Sequence, residues 1–410
     1  MDIINQGEIL WDFLNPAEDS DWFIPYIIVF FEAKFMNRST RIFFISGLMS
    51  ILMILVLDNT FDYVEYEKHW NDILSGRNPW YSGSSNAYGP LHNLLSFLYY
   101  LSPKGPRILF VLSAFFTSFF LYNRINQLDL KENGVLKMFL LLIIVNPIIW
   151  IFFVVNGCND GLVASMLIFG IYFYDKKCYL MAAFLISLSI LYKYIPLFIL
   201  PVLFVNNKEI KWKFAFFTFL FLVIGSALTY YIWGDSILNM IEYTASRESK
   251  ILSIFRYLRG EYSFLKWFGV SNVDFLSSFL VLISVAIVFL VQLFFNWNYL
   301  KAVLVTLLGV YLFYKIGHFQ FYIIIYFLLI YYLSTEENSV NFDFIKGRIL
   351  VFLIWIAFVT VLYVVTEGFY NKFSFIRDII GLPNTVFLIF LLHGFIKISA
   401  NQNKMVTEIE

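Results

Sequence analysis

Apolar segments long enough to cross the roughly 30 Å hydrocarbon core of a bilayer recur along this whole 410-residue chain, and nothing constrains its fold more. Provisional spans are 42–57, 106–122, 135–155, 161–174, 179–205, 213–233, 274–295, 300–316, 319–334, 349–366 and 383–400. With 60% of residues hydrophobic and 14% charged, the chain carries more apolar surface than a soluble fold hides. Backbone groups in lipid must pair within their own segment, so the expected fold is all-α, a polytopic transmembrane bundle of about eleven spans. Formal net charge is zero and no basic tail appears, so the expected partner is the lipid bilayer and not nucleic acid. Cys158 and Cys178 are too few for a disulfide framework and lack metal-ligand spacing; they read as small apolar residues.

The chain divides around these spans. Residues 1–40 read as an N-terminal extension whose run "WFIPYIIVFFEAKF" suits an interfacial helix better than a span. Met36 opens "MNRSTRIFFISG", an ordinary membrane-protein start, so residues 1–35 read as a peripheral addition or a mis-chosen start. Residues 41–400 form the membrane domain, with long polar loops at 58–105 and 234–273, and 401–410 is a polar tail. Threading the spans gathers Lys34, Arg38, Arg41, Arg124, Lys131, Lys137, Lys176, Lys177, Lys208, Lys211, Lys213, Lys346 and Arg348 on one side, which the positive-inside bias makes cytoplasmic. The scheme requires 179–205 to turn back part-way, for which Pro196 offers the means. Five polar features then share the outer face: the island 61–90, the "NGCND" turn at 156–160, Lys193, the loop 234–273 and "KIGHF" at 315–319. Ionisable groups at a membrane are costly and point to function.

The island "FDYVEYEKHWNDILSGRNPWYSGSSNAYGP" opens with Asp62, a few residues beyond the first span. Partly desolvated by Tyr63 and Tyr66, such a carboxylate suits general-base work on a hydroxyl; the plainer alternative is a helix cap. Residues 62–75 read as an amphipathic helix on the bilayer surface, with Tyr63, Tyr66, Trp70 and Leu74 on one face and Gly76 ending it.

The island's D-Y-x-x-Y, N-P-W-Y and Y-G-P-L-x-N-L-L resemble the first luminal loop of GT-C membrane glycosyltransferases that use a polyprenyl-phosphate sugar, namely bacterial glycosyltransferase family 87 and the catalytic subunit of GPI mannosyltransferase I. "NGCNDGLVASMLIFGIYFY", "AAFLISLSILYKYIPLFILP" and "YKIGHFQFYIIIYFLL" follow in the family order, so the likeness covers roughly residues 45–335. It implies an inverting transfer of a sugar, most plausibly mannose, from a polyprenyl-phosphate donor to a glycolipid or polysaccharide acceptor on the extracytoplasmic face. Three departures stand out: Thr60 where relatives begin an acidic pair, Lys68 at an often acidic position, and an extra Trp80 that splits the P-Y pair. With Thr60 there, neither a metal nor another cofactor is expected.

The donor phosphate gains negative charge as the anomeric C–O bond breaks, so the chemistry needs cations beside it. Lys193, Lys315 and His318 are the candidates, each at a span end. Snorkelling explains a lone Lys there, and a structural role a lone His. Arg247, Lys250, Arg256 and Arg259 could form a lid, but read mostly as solvated charge. Asn156, Asn159 and Asp160 suit sugar hydroxyls or a helix cap, and Tyr88 and Trp80 suit a sugar ring or the interfacial belt. Two other readings compete: a polymerase or ligase of lipid-linked oligosaccharides, which would rely on Arg and His of the late loop with Asp62 dispensable, and a transporter, which would carry inverted repeats.

Overall fold

The computed structural model describes residues 38–407, apart from 60, 82, 128–146, 207, 270–272, 296, 336–341 and 369–373. Nearly all of the expected extension 1–40, the first part of the span 135–155 and the last residues of the tail 401–410 thus lie outside the described residues. Within them the chain is helical, with one short antiparallel ladder between β1 (Val205–Asn206) and β2 (Glu209–Ile210). Five helical stretches have the length and apolarity to cross a membrane: Gly105–Ile125, Trp212–Ser246, Phe275–Phe295, Phe344–Tyr363 and Phe375–Lys397. A sixth exists if the pair Ile148–Val155 and Asp160–Asp175, bent by 119°, counts as one span. The protein therefore has the helices of a multi-pass membrane protein. The other expected spans coincide with shorter apolar helices such as Phe43–Val56 and Tyr179–Tyr192.

The helices that position the polar end are α1 (Arg38–Val56), α2 (Phe61–Leu74), α3 (Pro90–Leu94), α4 (Ser96–Leu101) and α5 (Gly105–Gln127). A π-helical stretch, Ile148–Val155, leads into α6 (Asp160–Asp175) and α7 (Tyr179–Tyr192), and a 3-10 turn, Ile195–Ile199, into α8 (Leu200–Phe204). Then come α9 (Trp212–Trp233), α10 (Ile237–Ser246), α11 (Ile254–Arg259), α12 (Phe275–Phe295), α13 (Tyr299–Phe313), α14 (Tyr322–Leu333), α15 (Phe342–Gly368), α16 (Ser374–Ile379) and α17 (Gly381–Thr407). Every residue of α14 is buried, as an all-round apolar helix requires. Its sequence "YIIIYFLLIYYL" is rich in β-branched and aromatic residues, yet apolar surroundings leave the backbone no partner but itself, which overrides propensity. At the periphery, α9 keeps most of its surface outward.

Three local features set the polar end. Lys193 is extended after α7, and Pro196 starts the 3-10 turn. Lys193 bonds to Asp160 at the start of α6 over 2.6 Å, whereas Leu203 O accepts from Tyr174 at the other end of that helix over 2.8 Å, so 193–203 runs back along α6. The turn-back inferred from Pro196 is present. Arg107, fully buried, donates to Val154 O at 2.6 Å and Val155 O at 2.7 Å, satisfying the last carbonyls of the π-helical stretch, and reaches Asp58 O at 3.3 Å. Finally, α2 turns Tyr63, Tyr66 and Trp70 into the protein core and not onto the bilayer surface, because α3 and α5 offer His92 and Phe110 to those rings. Leu74, on the expected apolar face, remains exposed.

The island is sewn to α7 at Gly89, whose N–H donates to Tyr192 O at 3.0 Å. A Cβ at Gly89 would stand 2.1 Å from Leu191 O. Gly89→Ala is expected to cost at least about 2 kcal/mol, read as a lower unfolding midpoint in detergent; an unchanged midpoint would show that this contact is loose.

Candidate functional site

A cavity of about 500 Å³ opens at this end of the bundle, lined by residues from distant parts of the chain: Asp62, Ala87 and Tyr88; Lys193 and Tyr194; Tyr243, Ser246, Arg247, Glu248 and Lys250; and Tyr314, His318, Gln320 and Phe321. The "NGCND" turn adjoins it through Cys158 and Asp160. The five polar features read from the sequence therefore do meet at one place.

Asp62 lies in the first turn of α2, where the helix dipole favours an anion. The Cys158 thiol donates to its Oδ2 at 3.2 Å. Cys158 is delivered by Gly157, left-handed at φ 63°, which packs so closely on Tyr63 that a Cβ would approach the ring to 2.8 Å. Burial pushes the Asp62 carboxyl above its ordinary range; the thiol bond, Lys193 and Arg247 oppose the shift, and Asp160 adds to it.

Behind Asp62 lies the buried Asp160–Lys193 ion pair, the two side chains 1% and 8% exposed. The Lys193 ammonium also sits 3.9 Å from the centre of the Phe321 ring and 5.6 Å from that of Tyr88. Lys193 thus reaches the cavity already neutralised, and Asp160 is its counter-ion. Asn159, also buried, occupies the N-cap of α6 without a side-chain capping bond.

The expected cations are redistributed. His318 faces Arg247, with Nη2 3.2 Å from Nε2. A guanidinium only donates, so Nε2 accepts and the imidazole is neutral. Burial foremost, then Arg247, Lys250 and Lys193, hold its pKa well below the usual histidine value. Lys315 directs its ammonium to Ala245 O at 2.7 Å and is not among the residues lining the cavity. Its neighbourhood serves instead to pair two strands of loop: Lys250 N–H donates to Lys315 O at 2.8 Å and Leu252 N–H to Gly317 O at 3.1 Å. That pairing brings Lys250 and Arg247 in, while Arg256 pairs with Asp378 at 2.6 Å and Arg259 with Glu248 at 3.1 Å. Lys193 is held by Asp160, and Arg259 is shared between Glu248 and Asp274, the latter at 3.8 Å, so the lining brings the cations Arg247 and Lys250 together with the carboxylates Asp62 and Glu248.

Trp80 differs from expectation more sharply. It is fully buried, donates to Tyr88 O at 3.2 Å and does not line the cavity. Asn156 is likewise not a lining residue; its N–H ends the π-helical stretch on Ile151 O. Tyr88 does form wall, its hydroxyl 3.2 Å from that of Tyr66. Tyr194 and Tyr314, joined hydroxyl to hydroxyl, add more wall. Among 27 tyrosines nothing singles these out in the sequence, and Arg247 and Lys250, which read mostly as solvated charge, line the cavity instead. Among the described residues no group of three or more His, Cys, Asp or Glu is arranged to hold a metal.

Two outcomes follow from burial. Asp160→Ala leaves Lys193 charged without a partner, and is expected to destabilise the protein by about 3–5 kcal/mol, whereas Asp160→Leu with Lys193→Met recovers most of that loss; equal unfolding midpoints for single and double variants would contradict the pairing. His69, buried behind Tyr88, has its pKa lowered to about 4, mainly by burial. A histidine depressed on folding contributes fully above its unfolded value of about 6.5 and loses that contribution as pH falls toward 4. The unfolding midpoint should therefore drop between pH 6.5 and 4, and less steeply in His69→Gln.

No family model matches the chain, and no curated protein does.

Proposed function

We propose that the protein is an inverting glycosyltransferase that moves a sugar, mannose in first place, from a polyprenyl-phosphate carrier to a glycolipid or polysaccharide acceptor. The observation that carries this reading is one partly desolvated carboxylate, Asp62, lining the same aromatic-walled cavity as Arg247 and Lys250 at the end of a helical bundle. A polyprenyl-phosphate sugar is a lipid-held phosphodiester with a single negative charge, and Arg247 and Lys250 are the lining cations suited to meet it.

In the proposed reaction Asp62 accepts the proton of the acceptor hydroxyl while that oxygen attacks the anomeric carbon from the face opposite the phosphate. The C–O bond to phosphate breaks, its electron pair leaves with the phosphate, and the configuration inverts. Charge on the phosphate grows during this step, so Arg247 and Lys250 stabilise the transition state more than the bound donor. Tyr88, Tyr194 and Phe321 wall the cavity with aromatic surface of the kind a sugar ring packs against. Lys193 orders the floor through Asp160 and is a weaker candidate for direct phosphate contact than Arg247.

Asp62→Asn keeps the shape and loses the proton acceptor. Transfer from a defined polyprenyl-phosphate mannose, glucose or arabinose should fall by at least about 100-fold, with activity in the parent rising with pH through an Asp62 pKa above the ordinary value. Parent-level turnover in Asp62→Asn would refute the base. Arg247 in the cavity also suits the ligase reading; joining of lipid-diphosphate oligosaccharides by Asp62→Asn would favour it. The extracytoplasmic placement is tested by impermeant maleimide on intact cells, with the native cysteines replaced. Arg77→Cys should react and Lys177→Cys should not, and the opposite pattern would invert the orientation.

A further inference from the structure

The motif "NPWY" is not absorbed by this chemistry, yet its Asn78 and Trp80 make contacts of their own. Asn78 Nδ2 donates to Ser236 Oγ at 2.8 Å and to Trp233 O at 3.3 Å, and its Oδ1 accepts from Trp80 N–H at 2.9 Å. Asn239, in the first turns of α10, donates through Nδ2 to Trp80 O at 2.7 Å. The Trp80 ring stands edge-on to Trp233 with centroids 5.2 Å apart, and its Nε1 donates to Tyr88 O. One short stretch therefore grips both the α9–α10 junction and the opposite cavity wall at Tyr88.

α10 needs such a grip. Half of its residues are half-buried and none is fully buried, so packing holds it only in part, and it begins after Gly234, whose φ of 60° and ψ of −148° is a conformation reserved for glycine. Its far end brings Tyr243, Ser246 and Arg247 to the cavity. We propose that Asn78 and Trp80 form a clasp that positions α10, and through it Arg247, against His318 and the Asp62 side of the cavity. They are positioning residues. The clasp itself rests on geometry; its consequence for transfer rests on the proposed function.

The test uses the full chain in nanodiscs with Cys178→Ser and Cys158 left buried. Nitroxides at Lys68→Cys on α2 and Glu242→Cys on α10, both exposed positions, report their separation by pulsed electron resonance. The parent should give one narrow distance, and Asn78→Ala or Asn239→Ala, which delete hydrogen bonds and no core packing, a broad or multiple one. An unchanged distribution in both overturns the clasp. In unlabelled protein the same variants should lower kcat/KM for the donor about 10-fold with the acceptor KM unchanged. A disulfide between Asn78→Cys and Ser236→Cys should keep parental donor use, and lose it on reduction. Broadening with unaltered donor use overturns the positioning of Arg247. Broadening in a protein whose parent consumes no polyprenyl-phosphate sugar leaves the clasp standing and removes the transfer reading instead.

Discussion

The buried ion pair between Asp160 and Lys193 is the contact on which the polar end depends. Two charges removed from water cost several kcal/mol each in desolvation and recover it only in good geometry, so such a pair is a weak source of stability and a strong source of register. Here it fixes where α7 stops relative to where α6 begins. The extended Lys193, the turn that Pro196 enforces and the return of 193–203 along α6 are all arranged around that one alignment. Because Phe321 and Tyr88 pack over the same ammonium, the pair also sets the distance between the island and the segment after α13.

Around this floor the ionisable groups are arranged by what each can be paired with. Glu248 takes Arg259, Asp378 takes Arg256, and a histidine accepts from Arg247, so a guanidinium and the Lys250 ammonium reach a cavity that also holds Asp62. The opposite end of α6 is closed differently: Asp175 accepts from the Tyr299 and Tyr331 hydroxyls, and Arg124 lies over the Tyr331 ring at 4.9 Å. One end of the helix thus carries a buried pair beside an open cavity and the other a carboxylate held by phenols. On the proposed reading, the first is where a lipid-linked anion would approach from the bilayer surface.

Much of this was legible in the chain. The apolar spans dictated helices, since lipid offers backbone groups no partner, and each expected span meets an apolar helix, although only five or six have crossing length. Asp62, Lys193 and His318 were singled out by position and Tyr88 was named among the aromatics, and all four line one cavity. Gly76, left-handed at φ 75°, follows α2 as a terminator should.

Partnership was not legible. Whether a cation at a helix end is available to a ligand depends on the group that folds against it, and that is a property of three dimensions. Lys193 met Asp160 from 33 residues away, Lys315 met a backbone carbonyl of Ala245, and His318 met Arg247, which leaves it uncharged. Trp80 resembled any interfacial aromatic until packing buried it against Trp233. The length of its apolar runs, being a local property, determined a helical membrane protein with a polar island bearing a carboxylate. Long-range pairing, which alone decides which charges remain to act, was decided by the tertiary structure.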